Sequence, residues 1–215
     1  MLLASTGTLN TMPFMLIAEG LTCIRGERAL FAGIGVAVGP GQWLHVRGAN
    51  GCGKTSLLRL LAGLSRPERG EVRWLGRPLA QAQEAYRSDM VFLGHHAAVK
   101  DELTARENLE LAAALDGAPL QPETSTRALR RFGLQGREDL PVRFLSAGQR
   151  RRVLLARLVA RKAKLWILDE PFTALDANAV AMLSTLIGDH LADGGMAILT
   201  SHQPIDIPAA ATLQL

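Results

Sequence analysis

The segment Gly48-Ala49-Asn50-Gly51-Cys52-Gly53-Lys54-Thr55 constrains the fold of this chain more than any other. It matches the pattern G-x-x-x-x-G-K-[ST]. It lies between a short β-prone run, 43–46, and a stretch free of helix breakers, Lys54–Leu61. A strand that enters a glycine-rich loop and leaves as a helix turns successive backbone N–H groups inward around an anion. The helix adds its unpaired N-terminal donors and the positive end of its dipole. In that setting Lys54 supplies a point charge for the β- and γ-phosphates of a nucleotide, and Thr55 offers a hydroxyl to Mg²⁺. Ser56 can reach the α-phosphate. The pattern implies a site for a nucleoside triphosphate.

The rest of the chain alternates as an α/β layered fold requires. Residues 14–21 and 30–38 read as strands of an N-terminal antiparallel layer, with Gly39-Pro40-Gly41 as the turn. Residues 72–75, 91–93, Leu165–Leu168 and Met196–Thr200 read as further strands, and 213–215 as a last one. From about 103 to 162 the pattern turns helical, with candidates at 108–115, 124–132 and 147–160, and 177–191 reads as another helix. The expected organisation is a single domain over 14–215 with a helical lobe inserted at about 97–162. Residues 1–13 read as a flexible extension without the basic start and apolar core of a signal peptide. No run approaches the roughly 20 apolar residues of a membrane span, so any membrane connection is expected through a partner. Cys23 and Cys52 make no disulfide framework and fit a reducing compartment. The net charge of +4 fits contact with anions, and equally a plain solubilising surplus of arginine.

Two further elements carry chemistry. The apolar run Leu165–Leu168 ends in Asp169-Glu170, and Pro171 follows. A parallel strand beside the phosphate-loop strand would deliver both carboxylates at the C-terminal sheet edge, where α/β folds bind ligands. There Asp169 suits Mg²⁺, held through its water shell, and Glu170 suits the activation of an attacking water. His202 follows the next candidate parallel strand. From there an imidazole can contact the γ-phosphate and orient Glu170 or the water.

Leu145-Ser146-Ala147-Gly148-Gln149 resembles the LSGGQ signature of ATP-binding-cassette (ABC) ATPases, with Ala147 in place of the first glycine. The resemblance spans nearly the whole chain. The phosphate loop takes the place of Walker A and 165–170 that of Walker B; a D-loop falls at Ala174-Leu175-Asp176, and His202 is the switch histidine. It implies a P-loop NTPase of ABC type: a RecA-like parallel-sheet core, an N-terminal antiparallel β layer and an inserted helical lobe. It also implies ATP hydrolysis with Mg²⁺, and no direct contact with nucleic acid. It implies a cassette dimer too, in which Ser146 and the start of helix 147–160 face the phosphate loop of the opposite subunit. Arg150, Arg151 and Arg152, with Arg157 and Arg161, read as a solvated helix face with one or two local ion pairs.

Two positions depart from the family pattern. Arg25 stands where an aromatic residue usually stacks on adenine; a guanidinium plane can stack there as well. His95, after Val91-Phe92-Leu93-Gly94, holds the place of the Q-loop glutamine, which makes it a candidate Mg²⁺ contact when neutral. The combination LGHH, LSAGQRRR and LWILDEPFTALD resembles the ATP-binding subunits of bacterial cytochrome c maturation systems. That resemblance implies a membrane-spanning permease partner of the CcmB type and a peripheral position on the cytoplasmic side of the bacterial inner membrane. The implied work is haem export or haem-chaperone release. No C-x-x-C-H motif is present, and stable haem ligation by this chain is not expected. The competing readings are the ATPase of another exporter and a soluble ABC ATPase acting on ribosomes or DNA. The latter usually carries tandem cassettes or a long inserted coiled coil.

Cys52 lies among the donors of the phosphate loop and beside Lys54, a positive environment of the kind that makes a thiol reactive. N-ethylmaleimide is expected to inactivate the enzyme, and ATP to protect it. Full sensitivity of a Cys52→Ala variant would overturn this expectation.

Overall fold

The computed structural model describes residues 15–94, 98–202, 205, 207 and 211–215. The expected extension, 1–13, and the Q-loop candidate His95 lie outside the described residues. The chain opens with β1 (Leu16–Arg25) and β2 (Arg28–Val38), an antiparallel hairpin, then runs through β3 (Trp43–Arg47) into α1 (Lys54–Leu61). β4 (Arg69–Trp74), β5 (Arg77–Pro78), α2 (Leu79–Asp89) and β6 (Met90–Leu93) follow. A helical stretch comes next: α3 (Ala105–Leu115), α4 (Pro122–Arg131), α5 (Ala147–Leu155) and α6 (Arg157–Ala160). The chain then forms β7 (Leu165–Leu168), α7 (Ala177–Ala192), β8 (Met196–Thr200) and β9 (Ala211–Gln214).

The strands make an antiparallel sheet of order β2-β1-β4-β5 and a parallel sheet of order β6-β7-β8-β3-β9. Strands β6, β7 and β8 are almost wholly apolar because both faces of the sheet are covered there, whereas the edge strand β9 is largely exposed. Leu165 and Ile167 of β7, Met196 and Ile198 of β8, and Leu44 and Val46 of β3 join the core shared with α1 and the antiparallel sheet. Trp166 and Leu168, Ala197 and Leu199, and Trp43 point the other way, into the core built by α3 to α7. The period-two pleat thus splits one continuous apolar run between two cores.

Two expectations need correction, and one element was not anticipated. The acidic strand β7 does not neighbour β3; α7 carries the chain back over the sheet, and β8 fills the position between them. The expected helix 147–160 divides at Ala156 into α5 and α6, although Ala156 itself keeps helical angles (φ −59°, ψ −21°). Helix α2 had no counterpart in the sequence reading. It buries little besides Tyr86, whose hydroxyl donates to the Leu61 carbonyl at 2.6 Å, and its apolar stripe is correspondingly faint.

His190, near the end of α7, closes the edge of the sheet opposite the phosphate loop. Its ring stacks on Trp166 at 3.8 Å between centroids, and its Nε2 donates to the Met196 carbonyl at 3.1 Å. Burial holds its pKa below the usual histidine value, outweighing the Met196 carbonyl and the nearby Asp193. A histidine depressed in this way contributes stability above its unfolded value of 6.5 and loses it as pH falls toward the folded value. The thermal midpoint is therefore expected to drop as pH falls from above 6.5 toward 5, and His190→Phe to flatten part of that drop. An unchanged slope in the variant would show that other groups carry it.

Candidate active site

The phosphate loop is wound around its own lysine. Lys54 Nζ donates to the carbonyls of Gly48 at 2.8 Å and Ala49 at 3.2 Å. Two glycines permit the winding. Gly48 has φ +153°, and a side chain there would fall 2.6 Å from Cys52 Sγ and 3.0 Å from the Leu215 carbonyl oxygen. Gly53, at the start of α1, has φ +110°, and a Cβ would press on Leu30 and the Phe31 ring at 3.1 Å. Cys52, half-buried, therefore fills the space that Gly48 leaves open.

The acidic pair sits where β7 ends. Asp169 is buried at 2 % exposure, and hydroxyls satisfy both of its oxygens: Thr55 Oγ1 donates to Oδ2 at 2.7 Å and Thr200 Oγ1 donates to Oδ1 at 2.8 Å. The Thr200 hydroxyl also accepts from the Glu170 N–H at 2.8 Å. Glu170 adopts φ +50°, the left-handed region that a non-glycine residue rarely enters. Its Oε2 accepts from the His202 N–H at 3.3 Å. Its Oε1 is buried without a hydrogen-bond partner among the described residues, with His202 Nε2 at 3.4 Å. Asn50, Gly51, Gly53, Lys54, Thr55, Ser56, Asp169, Glu170 and His202 line one cavity of about 670 Å³. Behind it, burial lowers the pKa of His45, against the opposing pull of the Ser201 carbonyl.

The signature residues form a second cluster. Ser146 caps α5 in a capping box: its Oγ accepts from Gln149 N–H at 3.2 Å, and Gln149 Oε1 accepts from Ser146 N–H at 3.0 Å. Leu145 is buried, whereas Ser146 and Ala147 are exposed. A Cβ on Gly148 would meet the Ala174 carbonyl at 3.1 Å, so α5 packs directly on the D-loop turn. Asp176 caps α7 through the Ala179 N–H at 2.8 Å and forms an ion pair with Arg152. Arg25 stands exposed at the tip of the β1–β2 hairpin, outside the cavity lining.

The arginines after the signature are not a solvated face. Arg150 pairs with Asp101, and Arg157 and Arg161 both pair with Asp116. Arg151 is 5 % exposed. Its guanidinium donates to the carbonyls of Glu170 at 2.7 Å, Asp169 at 3.1 Å and Gly94 at 3.2 Å, and approaches that of Pro171 at 3.5 Å. Its burial lowers its pKa, against the pull of Asp169 and Glu170.

Residues 31–173 match the model of the ABC transporter family. The chain belongs to that family. It is similar to the cytochrome c biogenesis ATP-binding export protein CcmA of Methylococcus capsulatus: 52% identical over 192 residues, covering 89% of this chain and 93% of that relative. Among solved structures it resembles the ATP-binding subunit of an ABC transporter, with TM-score 0.77 and 27% identity over 87% of this chain and 79% of that one. A dimeric ATP-binding cassette bound to ADP and phosphate shares the fold, with TM-score 0.78 and 21% identity over 88% of each chain.

This ABC cassette holds two site residues that the sequence reading missed. Thr200 is the one hydroxyl in an otherwise apolar strand, a signal that was present and unused. Arg151 is flanked by two arginines of the same type, and nothing in the sequence separates them. Thr200→Val keeps the shape but leaves the Glu170 N–H without its acceptor, a loss worth about 1–3 kcal/mol of stability. The variant is expected to unfold at lower denaturant and to turn over ATP more slowly than Thr200→Ser. Equal behaviour of the two would show that the hydroxyl is dispensable.

Proposed function

We propose that this cassette powers a transporter of c-type cytochrome biogenesis by hydrolysing Mg·ATP between two copies of itself. The observation that carries the pathway is its likeness, over nearly the full length of both chains, to a protein named for cytochrome c biogenesis and export. The hydrolytic roles rest on the cavity. Lys54 exchanges the Gly48 and Ala49 carbonyls for the β- and γ-phosphates of ATP, and Ser56 reaches the α-phosphate. The Thr55 hydroxyl and Asp169 carboxylate are oxygen donors in contact, which suits Mg²⁺. Phosphate oxygens and water would complete the ion's shell, with His95, outside the described residues, as the further side-chain candidate when neutral. When bound, the ion neutralises charge on the β- and γ-phosphates.

Glu170 acts on the water. Its unpartnered Oε1 can accept the proton of a water that attacks the γ-phosphorus, while ADP leaves with the β–γ bridging oxygen. His202, in contact with both carboxylate oxygens of Glu170, holds that carboxylate in line. The residues 145–149 of a second copy close over the γ-phosphate with Ser146 and the N-terminus of α5, and Asp176 shapes the turn beside them. Loss of the γ-phosphate removes this link and lets the copies part. Arg25 stacks on the base from the hairpin tip. The likeness to an ATP-binding export protein supports passage of the stroke to a permease of the CcmB type in the bacterial inner membrane. The driven step is haem export or haem-chaperone release, without haem ligation by this chain.

A deletion strain carrying the wild-type gene or a Glu170→Gln variant tests this. Holo-cytochromes c are expected to return with the wild type and to stay near the deletion level with the variant. Normal holo-cytochromes in the deletion itself would refute the pathway assignment and leave an ABC ATPase with another cargo.

A further inference from the structure

Among the described residues four carbonyls converge on the buried guanidinium of Arg151, and they belong to two strand ends. Gly94 follows β6; Asp169, Glu170 and Pro171 follow β7. The shortest of these four contacts, 2.7 Å, is to Glu170, the residue whose backbone stands at φ +50°. A left-handed non-glycine residue persists only where its surroundings over-determine it. Here the Glu170 backbone is gripped on both sides, by the Thr200 hydroxyl on its N–H and by Arg151 on its carbonyl. The grip sets where the Glu170 side chain leaves the backbone, and with it the placement of the unpartnered Oε1. Arg151 itself rides on α5, five residues after the Ser146 cap.

We propose that Arg151 is the positioning residue for Glu170: by binding the carbonyls at the ends of β6 and β7 it holds the Glu170 backbone left-handed, aims its carboxylate, and ties that aim to the tilt of helix α5. The inference rests on the assignment of Glu170 as the group that activates water. A planar fork with five donors can serve several carbonyls at once. Lysine keeps the charge but not the fork, and methionine keeps only the bulk. Among the described residues the guanidinium hydrogen bonds of Arg151 go to the strand-end carbonyls beside Glu170 rather than to the phosphate loop, so its loss is expected to act on turnover more than on nucleotide binding.

The test compares Arg151→Lys, Arg151→Met and Glu170→Gln in the purified full-length chain. The readouts are phosphate release under single turnover, binding of a fluorescent ATP analogue with Mg²⁺, and ATP-induced dimer measured by size-exclusion chromatography. Arg151→Met is expected to slow turnover about tenfold or more with nucleotide affinity within about twofold, and Arg151→Lys to fall between it and the wild type. Both variants should retain the ATP-bound dimer longer than the wild type does, because it dissolves only on hydrolysis. A merely structural role would instead weaken the dimer along with α5. Wild-type turnover in Arg151→Lys, or loss of the ATP-bound dimer in both variants, would overturn the proposal while Glu170→Gln remains inactive. Should Arg151→Met fail to fold, Arg151→Lys alone decides by the same criteria. Undiminished turnover in Glu170→Gln would overturn the proposal together with the reading beneath it.

Discussion

The Asp169 carboxylate, buried at 2 % exposure, must have both oxygens satisfied, and the hydroxyls that do so come from two different elements. Thr55, the last residue of the phosphate-loop motif, belongs to α1, and Thr200 to the end of β8. An unsatisfied buried carboxylate would cost more than a neutral group left unpaired, so this small chain of hydrogen bonds fixes three elements against one another. It also gives the strand order a chemical meaning. With β8 between β7 and β3, a hydroxyl at the end of β8 can reach Asp169 and the Glu170 N–H together. Had β7 lain directly beside β3, no residue of the intervening strand would hold the acidic turn from that side.

What the sequence revealed depended on whether a local signal existed. The bounds of α1, β7 and β8 were legible because each run has an abrupt edge: the glycine-rich loop before α1, the acid pair after β7 and the Gly194-Gly195 turn before β8, and the structure reproduces them. Strand order was not legible, since the apolar run of a parallel strand looks the same wherever it lies in the sheet. Helix α2 left almost no trace because it buries little more than Tyr86.

The three arginines after the signature show the limit most directly. Successive residues on a helix point about 100° apart, so Arg150, Arg151 and Arg152 leave α5 in three directions despite identical chemistry. One reaches Asp101, one enters the interior beside the acidic turn, and one meets Asp176. Which of them is buried depends on how α5 lies against β7, a tertiary fact that composition cannot carry. The signature Ser146 is a milder case. The Ser-x-x-Gln spacing carries a local signal for its capping box with Gln149 that was not used, whereas no local signal marks the packing of Gly148 on the Ala174 carbonyl.

The turn between β7 and α7 holds two non-glycine residues in the left-handed region, Glu170 at φ +50° and Ala174 at φ +63°. Each such residue costs on the order of 1–3 kcal/mol, and a turn of this kind would relax if left alone. Helix α5 meets it at both places: Arg151 binds the Glu170 carbonyl, and Gly148 lies against the Ala174 carbonyl, with Arg152 fastening Asp176 beyond. Hydrogen bonds to a charged donor are worth about 1.5–3 kcal/mol each, enough for the arginine contacts to offset the strain they impose. The consequence is mechanical. A helix that grips a strained turn at three successive points cannot tilt without moving it. The element that would face a neighbouring copy's phosphates and the element that carries Glu170 therefore behave as one body, and closure of the one sets the geometry of the other.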